Sequence, residues 1–245
     1  MTHASLFSGR GTWDIVAQEL GFENKFNCEI DAWLRNKLKR ISPDAKQYSD
    51  VKTCIPYCTV SVLSASFPCQ DISISNQTGV AGIHGTKSGL WSEVKRVATI
   101  TQPKYIVLEN SSQLVKKGLE TVLSDLSEIG YDAEWHCLQG RDFGFPTRRE
   151  RIFIIAYPSG NRRRVWVFRP PGTYKLSRTW TPTEAYLRVV DSRANGYRDT
   201  GAIQRGDVVH NFRREIHAFG NAVMPVIVEH LFKCILDDYK YYYDL

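Results

Sequence analysis

The chain has 245 residues, 42% of them apolar, and a net charge of +6. That composition can bury a sizeable core, as one large domain or one domain with a small appendage. No stretch reaches the ~18 consecutive apolar residues of a membrane span, so no membrane partner is expected. The opening MTHASLFSGRG lacks the basic head and long apolar core of a secretory signal. Six cysteines at irregular spacing (Cys28, Cys54, Cys58, Cys69, Cys137, Cys234) do not read as a disulfide framework, and a reducing cytoplasm is expected. Cys54 and Cys58, in CIPYC, lack the second pair or histidine cluster of a metal site and read as structural; no metal is expected.

Taken in order, short apolar runs alternate with helical patterns. ASLF is a predicted strand, after which Trp13, Val16, Ala17 and Leu20 recur at helical spacing up to the stop signal Gly21. KFNCEI is the next strand, followed by a helix around DAWLRNKLKR and a third strand candidate ahead of Asp50. SVLSAS is a strand, LWSEVKRVATI a helix, KYIVLEN a strand, LETVLSDLSEIG a helix, and YDAEWHCL and RIFIIAY two further strands. This alternation predicts an α/β fold, a mainly parallel sheet with helices on both faces. Ligands in such sheets bind beyond the carboxyl ends of the strands.

After Tyr157 the texture changes to Pro, Gly and Arg with little periodicity. From Pro158 to Glu215 there are eleven Arg and one Lys against five acidic residues, a net +7, so the rest of the chain carries −1. The same stretch holds Trp166, Phe168, Tyr174, Trp180, Tyr186 and Tyr197. Arginine interleaved with aromatics suits phosphate contact and base stacking, and equally a solvated basic loop. Helical pattern returns at PVIVEHLFKCIL, opened by Pro225, and the final YKYYYDL is expected to fray. The expected division is 1–157 as catalytic and cofactor-binding domain, 158–215 as a short basic segment, and 216–245 as a helix returning to the first domain.

The first strand runs into LFSGRGTW. Gly9 and Gly11 allow a tight turn and close approach to a ligand, and the helix start favours an electronegative group. The third glycine of the dinucleotide pattern is replaced by Asp14, which disfavours a diphosphate. Glu29 lies twenty residues past Gly9, where an acid commonly binds ribose hydroxyls, and Asp50 can accept from an adenine amino group. Ribose and adenine without diphosphate point to an adenosyl compound, above all S-adenosylmethionine.

In LSASFPCQDIS, Cys69 follows Pro68 behind a strand. By itself this is either a small buried hydrophobe at a strand end or a nucleophile held on a stiff turn. Pro68 biases Phe67 toward extended geometry, so the strand ends and the thiol follows. The order of LFSGRGTWD, CEID, SFPCQDIS, LENSSQL, FGFPTRRERIFIIA and FGNAVMP, from Leu6 to Pro225, resembles the DNA cytosine 5-methyltransferases, in the compact form often carried by bacteriophages. The resemblance implies the S-adenosylmethionine-dependent, Rossmann-like methyltransferase fold, with 158–215 as a small irregular target-recognition segment.

It further implies that Cys69 is the nucleophile that adds to carbon 6 of cytosine and makes carbon 5 reactive. Glu109 would be the acid at ring nitrogen N3. Arg151 would contact the cytosine carbonyl, and Arg149 the backbone or the active-site loop. S-adenosylmethionine would be held by Phe7, Gly9, Gly11, Thr12, Glu29, Ile30, Asp50, Val51, Pro68, Asn221 and Ala222. Double-stranded DNA would be contacted by Gln70, Ser73, Arg162, Arg163 and Arg164. The base must leave the duplex to be attacked, and the Ser-, Thr- and Gly-rich run after Cys69 is expected to close over it.

The chain departs from the family pattern in three places. Ser61, Ala65 and Ser66 stand where an Asp and two glycines usually lead into Pro-Cys. Ser111 follows Glu-Asn where Val is commoner. The segment before FGNAV is short for a full recognition domain. The expected activity is DNA (cytosine-5-)-methyltransferase, acting as a cytoplasmic monomer; the competing readings are an RNA cytosine methyltransferase and a non-catalytic nucleic-acid-binding relative.

Overall fold

Seven strands form one sheet in the order β3-β2-β1-β4-β5-β7-β6. They are β1 (Thr2–Leu6), β2 (Glu23–Cys28), β3 (Lys46–Tyr48), β4 (Val62–Ala65), β5 (Tyr105–Ser111), β6 (Tyr131–Gln139) and β7 (Glu150–Pro158). The helices are α1 (Thr12–Glu19), α2 (Ala32–Ile41), α3 (Trp91–Thr101), α4 (Leu114–Lys117), α5 (Leu119–Glu128) and α6 (Pro225–Tyr243). The computed structural model describes residues 1–68, 90–145, 149–160, 167–173 and 222–243. Cys69, Gln70, Ser73, Arg162, Arg163, Arg164 and Asn221 lie outside the described residues.

β1 to β5 pair in parallel, whereas β7 runs antiparallel between β5 and β6. The chain leaves β1 toward β2 on one side and later enters β4 on the other. The strand order therefore reverses between β1 and β4, which opens a crevice at their carboxyl ends. The segments that follow these two strands are the Phe7–Gly11 turn and the Ser66–Pro68 turn that leads to Cys69.

Each face of the sheet has its own core. Ala4, Leu6, Phe26, Leu63, Ile106, Leu108, Ile152 and Ile154 pack toward α3 and α5. Val62, Tyr105, Val107, Phe153 and Ile155 pack toward Trp13 of α1 and Val228, Leu231 and Phe232 of α6. Trp13 and Phe22 both sit against Phe232, with ring centroids at 5.7 and 5.2 Å. Burying a side chain such as Phe232 stabilises the fold by roughly 1.5–3 kcal/mol.

A network of polar side chains runs between α1 and the sheet beside the Trp13 packing. The Asn24 amide donates to the Asp14 carbonyl at 2.9 Å and to Ser42 Oγ at 2.8 Å, which leaves its oxygen to accept from His3 Nδ1 at 2.7 Å. His3 Nε2 therefore accepts from Ser64 Oγ at 2.6 Å. Burial lowers the His3 pKa to about 4 and keeps the ring neutral. The Asp14 carboxyl, wholly buried, accepts from Ser5 Oγ; burial raises its pKa to about 7, against the pull of that hydrogen bond.

Two sequence expectations are corrected. The second strand stops at Cys28, so Glu29 and Ile30 belong to the following loop, where Arg35 Nη1 donates to both their carbonyls at 2.8 and 2.6 Å. The tyrosine-rich tail continues α6 to Tyr243. Lys104 Nζ lies 4.6 and 4.2 Å from the Tyr239 and Tyr243 ring centroids, and these rings stack at 5.0 Å, which holds the last turn.

Candidate active site

The β1–α1 turn places Phe7, Gly9 and Gly11 in the left-handed region, with φ of 53°, 54° and 78°. At Gly11 a Cβ would meet the side-chain ends Leu38 Cδ2 at 2.8 Å and Ile41 Cδ1 at 3.0 Å, and the φ of 78° strains any other residue there. Thr12 is buried at the first position of that helix. The turn is stitched to the end of β2, because Ser8 N donates to the Cys28 carbonyl at 3.0 Å and Cys28 N donates to Ser8 Oγ at 3.2 Å.

Glu29 sits at this junction. Its Oε2 accepts from Gly9 N at 2.7 Å and its Oε1 from Asp31 N at 2.9 Å. Burial raises the pKa of the carboxyl, against the two backbone hydrogen bonds. Each oxygen retains a lone pair, so the group can still accept from a pair of vicinal hydroxyls. Beside it Ile30 is 76% exposed, an apolar surface set directly next to the acid. Asp50 caps the short 3-10 turn Val51–Thr53 by accepting from Lys52 N at 2.9 Å, and Arg96 Nη2 holds the carbonyl of buried Val51 at 2.7 Å. A carboxylate with spare acceptors, an exposed apolar side chain and a second acid fit an adenosyl group. The Asp14 carboxyl in the first turn of α1 does not suit a diphosphate.

Glu29→Ala is therefore expected to raise the dissociation constant for S-adenosylmethionine at least tenfold while DNA affinity stays within about twofold. Calorimetry with each ligand checks this, and unchanged cofactor binding would remove Glu29 from the site. Thermal unfolding of the same variant registers the loss of its two backbone contacts.

Across the crevice, Glu109 stands at the carboxyl end of β5, 6% exposed. Its Oε1 lies 3.2 Å from Arg151 Nε on the neighbouring antiparallel strand. Burial raises the Glu109 pKa, while Arg151, Arg149 and a hydrogen bond from Ser66 pull it down. The adjacent Asn110 donates to the Phe67 carbonyl at 3.2 Å and accepts from Ser111 N at 2.8 Å, tying β5 to the turn before Pro68. Arg149 Nη1 donates to the Ala222 carbonyl at 2.7 Å, so the TRRER and GNAV stretches meet.

Four side chains to which the sequence assigns no functional role make long-range contacts in and around the site: Trp13, Ser66, Glu134 and His230. Trp13 Nε1 donates to Ser66 Oγ at 2.9 Å. The period-two placement of Ser64 and Ser66 is the signal that marks that face of β4 as polar. Glu134, buried on β6, accepts from Tyr157 Oη at 2.9 Å, Val167 N at 2.8 Å and Phe168 N at 3.1 Å. His230 of α6 adds a contact to the Arg169 carbonyl at 2.8 Å. No sequence pattern announces a strand carboxylate that clamps backbone thirty residues away.

A Rossmann-like sheet with a glycine turn, Glu29 beside it and the buried Glu109 paired with Arg151 across one crevice has the architecture of the S-adenosylmethionine-dependent methyltransferases. The model of the C-5 cytosine-specific DNA methylases matches residues 1–191, and the chain belongs to that family. Methylases of this family and fold draw the methyl group from S-adenosylmethionine. Among its relatives are the type II methyltransferase M2.BsuMI of Bacillus subtilis, 29% identical over 164 residues, and M2.ScrFI of Lactococcus lactis, 34% identical over 138 residues. These matches cover 64% and 54% of this chain but only 42% and 37% of the relatives, so the chain spans less than half their length. In fold it is similar to the Entamoeba histolytica methyltransferase EhMeth, with a TM-score of 0.67, 13% identity, and 97% and 98% of the two chains covered. It is also similar to the S. pombe Dnmt2 methyltransferase, with a TM-score of 0.54, 17% identity, and 72% and 57% covered.

Proposed function

We propose that the protein is a DNA (cytosine-5-)-methyltransferase acting on a cytosine flipped out of duplex DNA through a covalent Cys69 adduct. The observation that carries this reading is the buried Glu109 carboxyl, 3.2 Å from Arg151 and tied through Asn110 to the turn that leads into Cys69. Bound beside it, S-adenosylmethionine supplies an electrophilic methyl group on sulfonium sulfur. Glu29, Ile30, Asp50 and Val51 hold the adenosyl part, with Phe7, Gly9, Gly11, Thr12, Pro68, Asn221 and Ala222 around it.

Carbon 5 of cytosine is a poor nucleophile. Addition of the Cys69 thiolate at carbon 6 breaks the ring's aromaticity, and a proton from Glu109 to N3 neutralises the charge that develops. Carbon 5 then has enamine character. Once it has been alkylated, loss of its proton to solvent, return of the N3 proton to Glu109 and expulsion of the thiolate restore the ring. Arg151 both orients Glu109 and faces the cytosine carbonyl, and Arg149 braces the Ala222 segment. The expected division at 1–157, 158–215 and 216–245 is kept in this reading, with the Glu134 contacts to Val167 and Phe168 holding part of the basic segment against β6.

Incubation with labelled S-adenosylmethionine and duplex DNA, single-stranded DNA or tRNA, followed by bisulfite mapping, tests the reading. Label at carbon 5 of duplex cytosines is expected. Transfer to tRNA alone would assign an RNA enzyme, and no transfer to any of the three would leave a non-catalytic relative.

The basic segment is proposed to read the target, with Arg162, Arg163 and Arg164 on phosphates and Gln70 and Ser73 near the base. Neutralising the three arginines should weaken binding to every duplex and reduce the salt slope by about one unit for each phosphate that is no longer neutralised. An arginine elsewhere in the segment that contacts a guanine edge should instead relax choice at one position, by roughly 1–3 kcal/mol. Binding isotherms across a salt series decide; an unchanged slope with unchanged site preference would make the segment a solvated loop.

A further inference from the structure

Ser66 occupies a position where glycine is usual in the family. β4 and β5 pair in parallel with Ala65 opposite Leu108, so the next residue on each strand, Ser66 and Glu109, lie side by side at the mouth of the crevice. Ser66 N reaches the Leu6 carbonyl at 3.4 Å, which keeps it in line with β1 as well. Its hydroxyl takes the Trp13 Nε1 proton at 2.9 Å. Indole nitrogen can only donate, so the hydroxyl must accept there, and its own proton is directed away from Trp13. The register of β4 and β5 sets that proton beside the Glu109 carboxyl.

We propose that Ser66 is a positioning residue for Glu109: held in one orientation by Trp13, it fixes the carboxyl from the side opposite Arg151. The inference rests on the reading of Glu109 as the acid at N3. Among the described residues the charged groups acting on Glu109 are Arg151, on β7, and Arg149, just before it. β4 and α1 contribute the neutral pair Ser66 and Trp13. Because a hydroxyl donor favours the ionised carboxylate, its removal leaves burial and the two arginines to compete alone, and Glu109 holds its proton to higher pH. The geometry also links the helix that follows the glycine turn to the acid on the far side of the crevice, through one side chain.

The test is the pH profile of kcat on duplex DNA at saturating cofactor, for wild type and for Ser66→Ala, Ser66→Gly, Ser66→Thr and Glu109→Gln. In the Ala and Gly variants the descending limb is expected to move up by about half to one pH unit, the equivalent of one ordinary hydrogen bond. Cofactor affinity should stay within about twofold. Ser66→Thr keeps the hydroxyl and should keep the wild-type limb. A purely structural role would lower kcat at every pH without moving the limb. An unmoved limb in Ala and Gly, with the limb absent in Glu109→Gln, overturns the role of Ser66 alone. A limb that persists in Glu109→Gln removes Glu109 as the acid, and this inference with it.

Discussion

Replacing Cys69 with alanine is expected to abolish methyl transfer while cofactor and DNA binding persist. The chemistry needs a polarisable, ionisable nucleophile on a segment the substrate can reach. Of the remaining cysteines, Cys28, Cys54 and Cys234 are buried, and Cys137 is half-buried on β6. Cys58 is exposed, but it lies in the stretch that follows the Val51–Thr53 turn, not beyond the Pro68 turn. Duplex DNA with 5-fluorocytosine at the target position distinguishes binding from addition, since fluorine at carbon 5 blocks the proton loss that precedes release. Wild type should form a covalent adduct that survives denaturation, and Cys69→Ala should form none. An adduct with the alanine variant, or full turnover, would take the nucleophile's role from Cys69.

The second large effect is expected from Glu109→Gln. The amide has nearly the size of the acid and can keep hydrogen bonds to Ser66, but it has no transferable O–H proton. Loss of a positioned general acid costs on the order of a hundredfold or more. Burial raises the Glu109 pKa, and the protonated form is the competent one, so the wild-type rate should fall as pH rises through that value. The glutamine variant should show no such limb. Its DNA affinity should change little, since the loss of charge beside Arg151 alters a contact inside the protein. Single-turnover rates across pH are the measurement. A rate within about threefold of wild type would make Glu109 a structural cap on β5.

These two residues differ in how much of their role the chain reveals by itself. Pro68 before Cys69 is a local statement about backbone, and local statements are legible: proline ends a strand, glycine permits φ of 54° and 78° at Gly9 and Gly11, and apolar runs alternate with helical spacing. From such signals the order of strands and helices, the glycine turn with Glu29 twenty residues after it, and the basic character of 158–215 all follow. The departures from prediction lie at ends. The second strand ends at Cys28, after which Gly9 N and Asp31 N take the Glu29 carboxylate, and α6 runs on because Lys104, from a loop more than a hundred residues away, covers its tyrosines.

What only the tertiary structure decided is who touches whom across the sheet. Ser66 reads in the sequence as a loss, a glycine position filled by something larger. In the fold the parallel register of β4 and β5 brings it alongside Glu109, and α1 lays Trp13 over it, so the departure becomes a polar neighbour of the acid. Glu134 likewise reads as an ordinary strand residue until the backbone of Val167 and Phe168 returns to it. Hydrogen bonds between residues distant in the chain depend on register and on the way the chain returns to the sheet. Neither leaves a periodicity, so the sequence alone specified the elements and their order, and the sheet decided their partners.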